Sequence, residues 1–220
     1  KKYDYCLIPD ADGPDNLSGK LSYNDDFEIE KVYLGPLSRF KNTGNYQKKY
    51  DLMVLLSGPE PQRGILEKRL LTELKTYKGE VLFIAGKVEK EQKVEKKGRL
   101  TYYNYLSTDG LQKALDRSEM VLSRSGYTTI MDLQKMGKKA FFIPTPGQFE
   151  QEYLAELLDQ KGIVPYANQE DFHIQMLSRV EHYKGLGSIQ SSSRSLSSIL
   201  EETFSSVNEN SDPIPSSLST

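Results

Sequence analysis

Short apolar runs alternate with longer amphipathic stretches along most of this 220-residue chain. Residues 51–56, 81–84, 100–105, 120–122 and 140–143 are each close to the length of a strand buried on both faces. Helical patterns fill the gaps: residues 65–77, a stretch capped by Ser107-Thr108-Asp109-Gly110-Leu111 and ending at Arg117, and another from Gly126 to Met136. That last one stops at Gly137, where a helix is expected to end. A further helix opens at Gln148, beyond the breaks at Pro144 and Pro146. Strand, glycine turn, helix, strand, proline loop and helix make one βαβα unit, which predicts an α/β fold with a Rossmann-like parallel sheet flanked by helices.

Outside this body, residues 3–8 and 31–34 predict two more strands, ended by Pro9 and by Gly35-Pro36. Residues 163–166 predict a short edge strand, and Asn168 is expected to cap a helix carrying His173 toward Tyr183. Residues 193–204 predict an amphipathic helix through Leu196, Ile199, Leu200 and Phe204, and residues 211–220 are expected to be disordered. Residues 87–97 alternate in charge sign and read as a solvated loop or arm.

Ligands of such sheets sit beyond the carboxyl ends of the strands, where helix N-termini aim free amides. Ser125-Gly126-Tyr127-Thr128 falls at such a place, with Gly126 leaving room for close approach. Asp132 has two readings, as partner of Thr129 in a capping box or as acceptor for the two hydroxyls of a ribose. Asp10, Asp12 and Asp15 have a spacing that resembles a calcium loop, but no Glu follows at the required distance, so no metal is assigned. His173 and His182 lack acidic or Cys partners and read as surface residues.

Arg124-Ser125-Gly126-Tyr127-Thr128-Thr129-Ile130-Met131-Asp132, then Phe142-Ile143-Pro144 and Glu150-Gln151-Glu152-Tyr153, resemble the donor-binding half of GT-B glycosyltransferases of family 28. That family carries R-S-G-x-x-T-x-x-E followed by a strand, a proline loop and a Gln-rich helix start. The resemblance implies a GT-B C-terminal lobe that binds a UDP-sugar as donor substrate, with no metal or other cofactor. It implies that the amides of Ser125, Gly126, Tyr127 and Thr128 take the diphosphate, Asp132 the ribose, and Gln151 and Glu152 the donor sugar. Asp132 replaces a longer Glu, and Glu152 stands where a second Gln is expected.

Gly35-Pro36-Leu37-Ser38-Arg39 loosely resembles the family's G-N-P-x-R segment, which places Arg39 toward the diphosphate. Ser57 and Gly58 remain from its G-G-S-x-G loop, while Pro59 and Pro61 remove amide donors. That loop is either a stiff connector or a border of the diphosphate site, with help from Arg63. The uracil contact falls near residues 106–111, with Leu111 as its representative. The implied organisation is residues 1–45 as the end of an N-terminal acceptor lobe with its linker, 46–185 as the nucleotide-sugar domain, and 186–220 as a Ser-rich helix and tail.

Hydrophobic content of 37%, charged content of 27% and a net charge of −2 describe an ordinary globular protein, without the basic face of a nucleic-acid binder. The single Cys6 cannot form an internal disulfide, so a cytoplasmic setting is expected. The chain is expected to be a piece of a longer protein, inactive alone, with its unidentified catalytic base on a missing N-terminal lobe. That lobe would select a glycan or lipid-linked acceptor and make any peripheral contact with the inner face of the membrane. Hydrolysis or 2-epimerisation of a nucleotide-sugar is the alternative chemistry. A non-catalytic nucleotide-binding or docking module is the alternative from another class.

Overall fold

The computed structural model describes residues 3–13, 16–22, 28–42, 44, 46–189 and 195–209. Two short strands, β1 (Tyr5–Ile8) and β2 (Glu30–Tyr33), pair in parallel as a small separate sheet. The main body follows as β3 (Tyr50–Leu55), α1 (Gln62–Glu73), β4 (Val81–Ile84), β5 (Val94–Lys97) and β6 (Leu100–Tyr103). It continues through α2 (Thr108–Arg117), β7 (Ser118–Ser123), α3 (Tyr127–Lys135), β8 (Lys139–Phe142) and α4 (Phe149–Gln160). A 3₁₀ segment, Ile174–His182, and the helix α5 (Leu196–Glu209) complete it.

The six strands are ordered β5-β6-β4-β3-β7-β8, and all neighbours are parallel except β5 with β6. Alternating side chains split the core into two layers, as the strand period of two requires. Met53, Val121, Ala140 and Phe142 face α2, α3 and α4 through Leu115, Ile130 and Leu154. Leu52, Val54, Leu122 and Phe141 face α1 and the 3₁₀ segment through Leu66, Leu70, Phe172 and Leu177. Burying each such side chain is worth about 1.5–3 kcal/mol before entropy is subtracted. The parallel α/β sheet expected from the apolar runs is therefore present.

Several local expectations need correction. Part of the charged 87–97 run is β5, an edge strand exposed at all four positions, turned back onto β6 at Gly98 (φ 59°). Its Lys and Glu side chains suit an edge, because charge discourages pairing with another chain. The predicted strand at 163–166 contributes only one parallel bridge, Phe142 with Tyr166. Beyond Asn168 the backbone forms turns and then the 3₁₀ segment, so no α-helix carries His173. Among the α5 residues whose burial is described, only Ile199 is buried, while Leu196 and Phe204 remain exposed. Asp15, residues 193–194 and the 211–220 tail lie outside the described residues.

The chain crosses from β6 on one side of β3 to β7 on the other, so β3 and β7 flank the topological switch point. The helices α1 and α3 start there, at the carboxyl ends of those two strands. Described residues between Pro9 and Lys20 bond to the same body. Tyr127 Oη donates to Pro9 O at 2.9 Å, Lys20 N to Tyr153 Oη at 2.8 Å, and Lys161 Nζ to Asn16 O at 3.0 Å.

Candidate functional site

Of the two helix N-termini at the switch point, one is occupied by the chain itself. The Glu60 carboxylate accepts the Gly64 amide at 2.9 Å, and the Arg63 amide donates to Pro59 O at 3.1 Å. Arg63 is buried. Its guanidinium pairs with Glu60 and Glu67 and donates to Ala85 O at 3.0 Å. The expectation that Arg63 helps a diphosphate is thus corrected, because its donors are spent inside the fold. Ser57 and Gly58 stay exposed at the tip of this loop, with Gly58 in the left-handed region (φ 97°).

The other N-terminus is open. Gly126 caps α3 with ordinary backbone angles, no side chain caps it, and no acidic residue lies in its first turn. The first helical bond runs from Ile130 N to Gly126 O at 3.1 Å. The amides of Tyr127, Thr128 and Thr129 precede it and have no protein acceptor among the described residues. A Cβ built on Gly126 meets nothing within 4 Å, and Thr128 is exposed. Two or three free amides, a helix dipole and open space form an anion-binding cradle.

The surroundings fix that cradle. Arg124 is 2% exposed and donates to Ile143 O, Pro144 O, Gln62 O and Gln169 Oε1 at 2.6–3.2 Å. It ties the end of β7 to the end of β8 and to the start of α1. Burial lowers its pKa to about 10, still charged at neutral pH. Ser125 is fully buried and its Oγ donates to Gln151 O at 2.7 Å, fastening α3 to α4. The Ser125 hydroxyl is therefore part of the scaffold rather than of a phosphate site.

The sugar-binding roles given to Gln151 and Glu152 change in the same way. Gln151 Oε1 accepts Thr145 N at 2.9 Å, and its Nε2 donates to Gln148. Glu152 Oε1 accepts Gly147 N at 2.8 Å from an exposed position. Both side chains shape the proline loop. Leu111 lies inside α2, where its amide donates to Ser107 O at 2.8 Å and its side chain packs on the core. A base would meet the loop before α2 rather than Leu111.

Asp132 lies on α3, five residues beyond Tyr127, or about 7 Å along the axis. Thr129 sits inside the helix rather than at its N-cap, so the capping-box reading fails. Asp132 is 8% exposed, and its Oδ1 accepts Ser38 Oγ at 2.7 Å. Burial raises its pKa, while the Ser38 bond and the Arg39 charge pull it back down. Arg39 is exposed, with its guanidinium 5.0 Å from the centre of the Phe40 ring. Ser38 is a contributor that its position before a basic residue did not reveal, since nothing in sequence joins it to a carboxylate 94 residues away.

A cavity of about 600 Å³ opens beside the N-termini of α3 and α4, bordered by Tyr127 and Glu150. Leu7, Ile8, Pro9 and Leu21 form much of its wall. The Asp10 carboxylate at its edge accepts the amides of Ala11, Leu17 and Ser18 at 2.7–2.9 Å, so it organises its own loop. Both His173 and His182 are exposed, as expected. No described helix is long and apolar enough to cross a membrane.

Comparison with known proteins places this arrangement. Two curated relatives are named UDP-N-acetylglucosamine--N-acetylmuramyl-(pentapeptide) pyrophosphoryl-undecaprenol N-acetylglucosamine transferase. The one from Buchnera aphidicola subsp. Schizaphis graminum (strain Sg) is 25% identical over 152 residues, covering 66% of this chain and 41% of that protein. The one from Glaesserella parasuis serovar 5 (strain SH0165) is 28% identical over 131 residues, covering 57% and 37%. The chain thus spans about two fifths of the length of the curated relatives it matches.

Among solved structures, the calicheamicin glycosyltransferase CalG4 aligns with a TM-score of 0.56 at 11% identity, over 89% of this chain and 52% of that one. The glycotransferase of kitacinnamycin aligns with a TM-score of 0.54 at 14% identity, over 81% and 46%. At these identities the likeness concerns the fold, and both are GT-B glycosyltransferases. The model of the glycosyltransferase family 28 C-terminal domain matches residues 63–182, more than half of the chain. The chain belongs to that family.

Proposed function

We propose that this domain binds a UDP-sugar and holds it for transfer of the sugar to an acceptor hydroxyl. The observation that carries this reading is the uncapped first turn of α3 at the switch point, with open space over Gly126. The pyrophosphate accepts from the amides of Tyr127 and Thr128, each charge-assisted hydrogen bond being worth about 1.5–3 kcal/mol. The helix dipole adds about 0.3–1 kcal/mol. As the bond from the anomeric carbon to the diphosphate breaks, negative charge grows on the leaving oxygen, and the same amides stabilise it without a metal ion. Arg39, whose charge reaches Asp132, adds positive charge, and Asp132 receives the ribose.

The names of both curated relatives specify UDP-N-acetylglucosamine, which makes it the first donor to try. Those names describe transferases, which favours transfer over hydrolysis or 2-epimerisation, and donor binding over a mere docking role. The acceptor is a glycan or lipid-linked hydroxyl that approaches from the side of the 600 Å³ cavity. Its activation requires a base within hydrogen-bond reach of that hydroxyl. Titration calorimetry with UDP tests the proposal. The chain binds UDP, and Asp132→Ala weakens binding about tenfold or more, as loss of a charged hydrogen-bond partner does. Equal affinity in both proteins would refute it.

A further inference from the structure

Ser38 is the residue outside α3 that holds the Asp132 carboxylate. Asp132 is more than nine-tenths buried, and the only protein hydrogen bond its side chain makes among the described residues is from Ser38 Oγ to Oδ1 at 2.7 Å. Its second oxygen has no protein partner among those residues. The Ser38 hydroxyl is itself held, because it accepts Phe40 N at 3.1 Å. The segment is pinned further where Leu37 N meets Met131 Sδ at 3.3 Å. A short Asp side chain has two torsions, and a bond at one oxygen from a fixed hydroxyl leaves the other oxygen with one direction.

We propose that Ser38 is a positioning residue that aims the free Asp132 oxygen at the ribose of the nucleotide, and so sets the preference for a ribonucleotide over its 2′-deoxy counterpart. This rests on the donor-binding reading above. The shorter carboxylate is served by a hydroxyl from a distant segment that also carries Arg39. A carboxylate held this way discriminates through a hydrogen bond that a 2′-deoxyribose cannot make, and a site built to bond a hydroxyl penalises its absence strongly. Removal of the Ser38 bond also removes one of the two influences that hold the Asp132 pKa down, so binding should weaken toward lower pH more than in the unaltered chain.

The test compares UDP and 2′-deoxy-UDP binding by calorimetry in the unaltered chain, Ser38→Ala and Ser38→Thr. The unaltered chain is expected to prefer UDP about tenfold or more, Ser38→Ala to lose most of that preference, and Ser38→Thr, which keeps the hydroxyl, to retain it. The UDP affinity of Ser38→Ala should fall at a higher pH than that of the unaltered chain. Equal binding of the two nucleotides by the unaltered chain overturns the inference while leaving the donor reading intact, and this arm needs no variant. An unchanged preference in Ser38→Ala also overturns it. Absence of UDP binding by the unaltered chain overturns the donor reading and the inference with it.

Discussion

Ser125 Oγ donates to the carbonyl of Gln151 at 2.7 Å, so the turn that opens α3 is bolted to the first turn of α4. Ser125 is fully buried. Ser125→Ala removes this buried bond, while the Gln151 carbonyl keeps its place in the α4 ladder, and is expected to lower unfolding stability by about 0.5–1.5 kcal/mol. Urea denaturation measures this, and a change within experimental scatter would show that the bolt is incidental.

Arg124 bonds four acceptors on three separate segments, which a lysine cannot reproduce. Arg124→Lys keeps the charge and is expected to cost about 2–4 kcal/mol, because several buried carbonyls lose their donor. Denaturation of the purified variant decides it. A loss below about 0.5 kcal/mol would mean that the guanidinium fork is not what joins β7, β8 and α1.

Lys138 supplies a pH signature. Its ammonium is buried and donates to Ser118 O at 2.9 Å, the same carbonyl that Lys48 reaches at 3.0 Å. Burial first, and the neighbouring Lys48 second, lower its pKa to about 7. The folded pKa lies below the unfolded value, so the unfolded chain binds more protons between roughly pH 7 and 10.4. The cost to stability is complete below about pH 7 and vanishes as pH rises toward the unfolded pKa. Lys138→Met is therefore expected to stabilise the fold by about 1–3 kcal/mol at pH 6.5, with the gain shrinking at pH 9.5. A gain that is the same at both pH values would contradict this origin.

The two helix starts at the switch point should respond differently to UDP. Glu60→Gln weakens the carboxylate cap on Gly64 and is expected to cost about 0.5–1.5 kcal/mol of stability while leaving UDP affinity within about twofold. A large change in UDP affinity would move the nucleotide from α3 to α1.

Apolar runs such as residues 51–56, 81–84 and 140–143 made the parallel sheet legible, because strands buried on both faces need uninterrupted hydrophobic sequence. The open turn at Gly126 was legible for a similar local reason: a small residue and an uncapped helix start are written in consecutive positions. β5 was hidden because an exposed edge strand can be built from Lys and Glu as easily as a loop can. Arg63, Ser125 and Gln151 carry donors and acceptors suited to a ligand. Whether those groups are free depends on Glu60, on the Gln151 carbonyl and on Thr145, which only the packed fold brings to them. The capping-box reading of Asp132 fails because the helix begins three residues earlier than a Thr129 cap would require, and its side-chain partner, Ser38, comes from a distant segment.

Gly126→Val, read by UDP calorimetry alongside thermal unfolding, is the most direct test. The φ of −70° suits a side chain and the space beyond is empty of protein, so the fold should be nearly unaffected. A phosphate resting on the α3 amides would meet the added methyl groups. The expected result is an unfolding temperature close to that of the unaltered chain together with loss of detectable UDP binding. Unchanged UDP affinity in this variant would show that the nucleotide does not sit on α3.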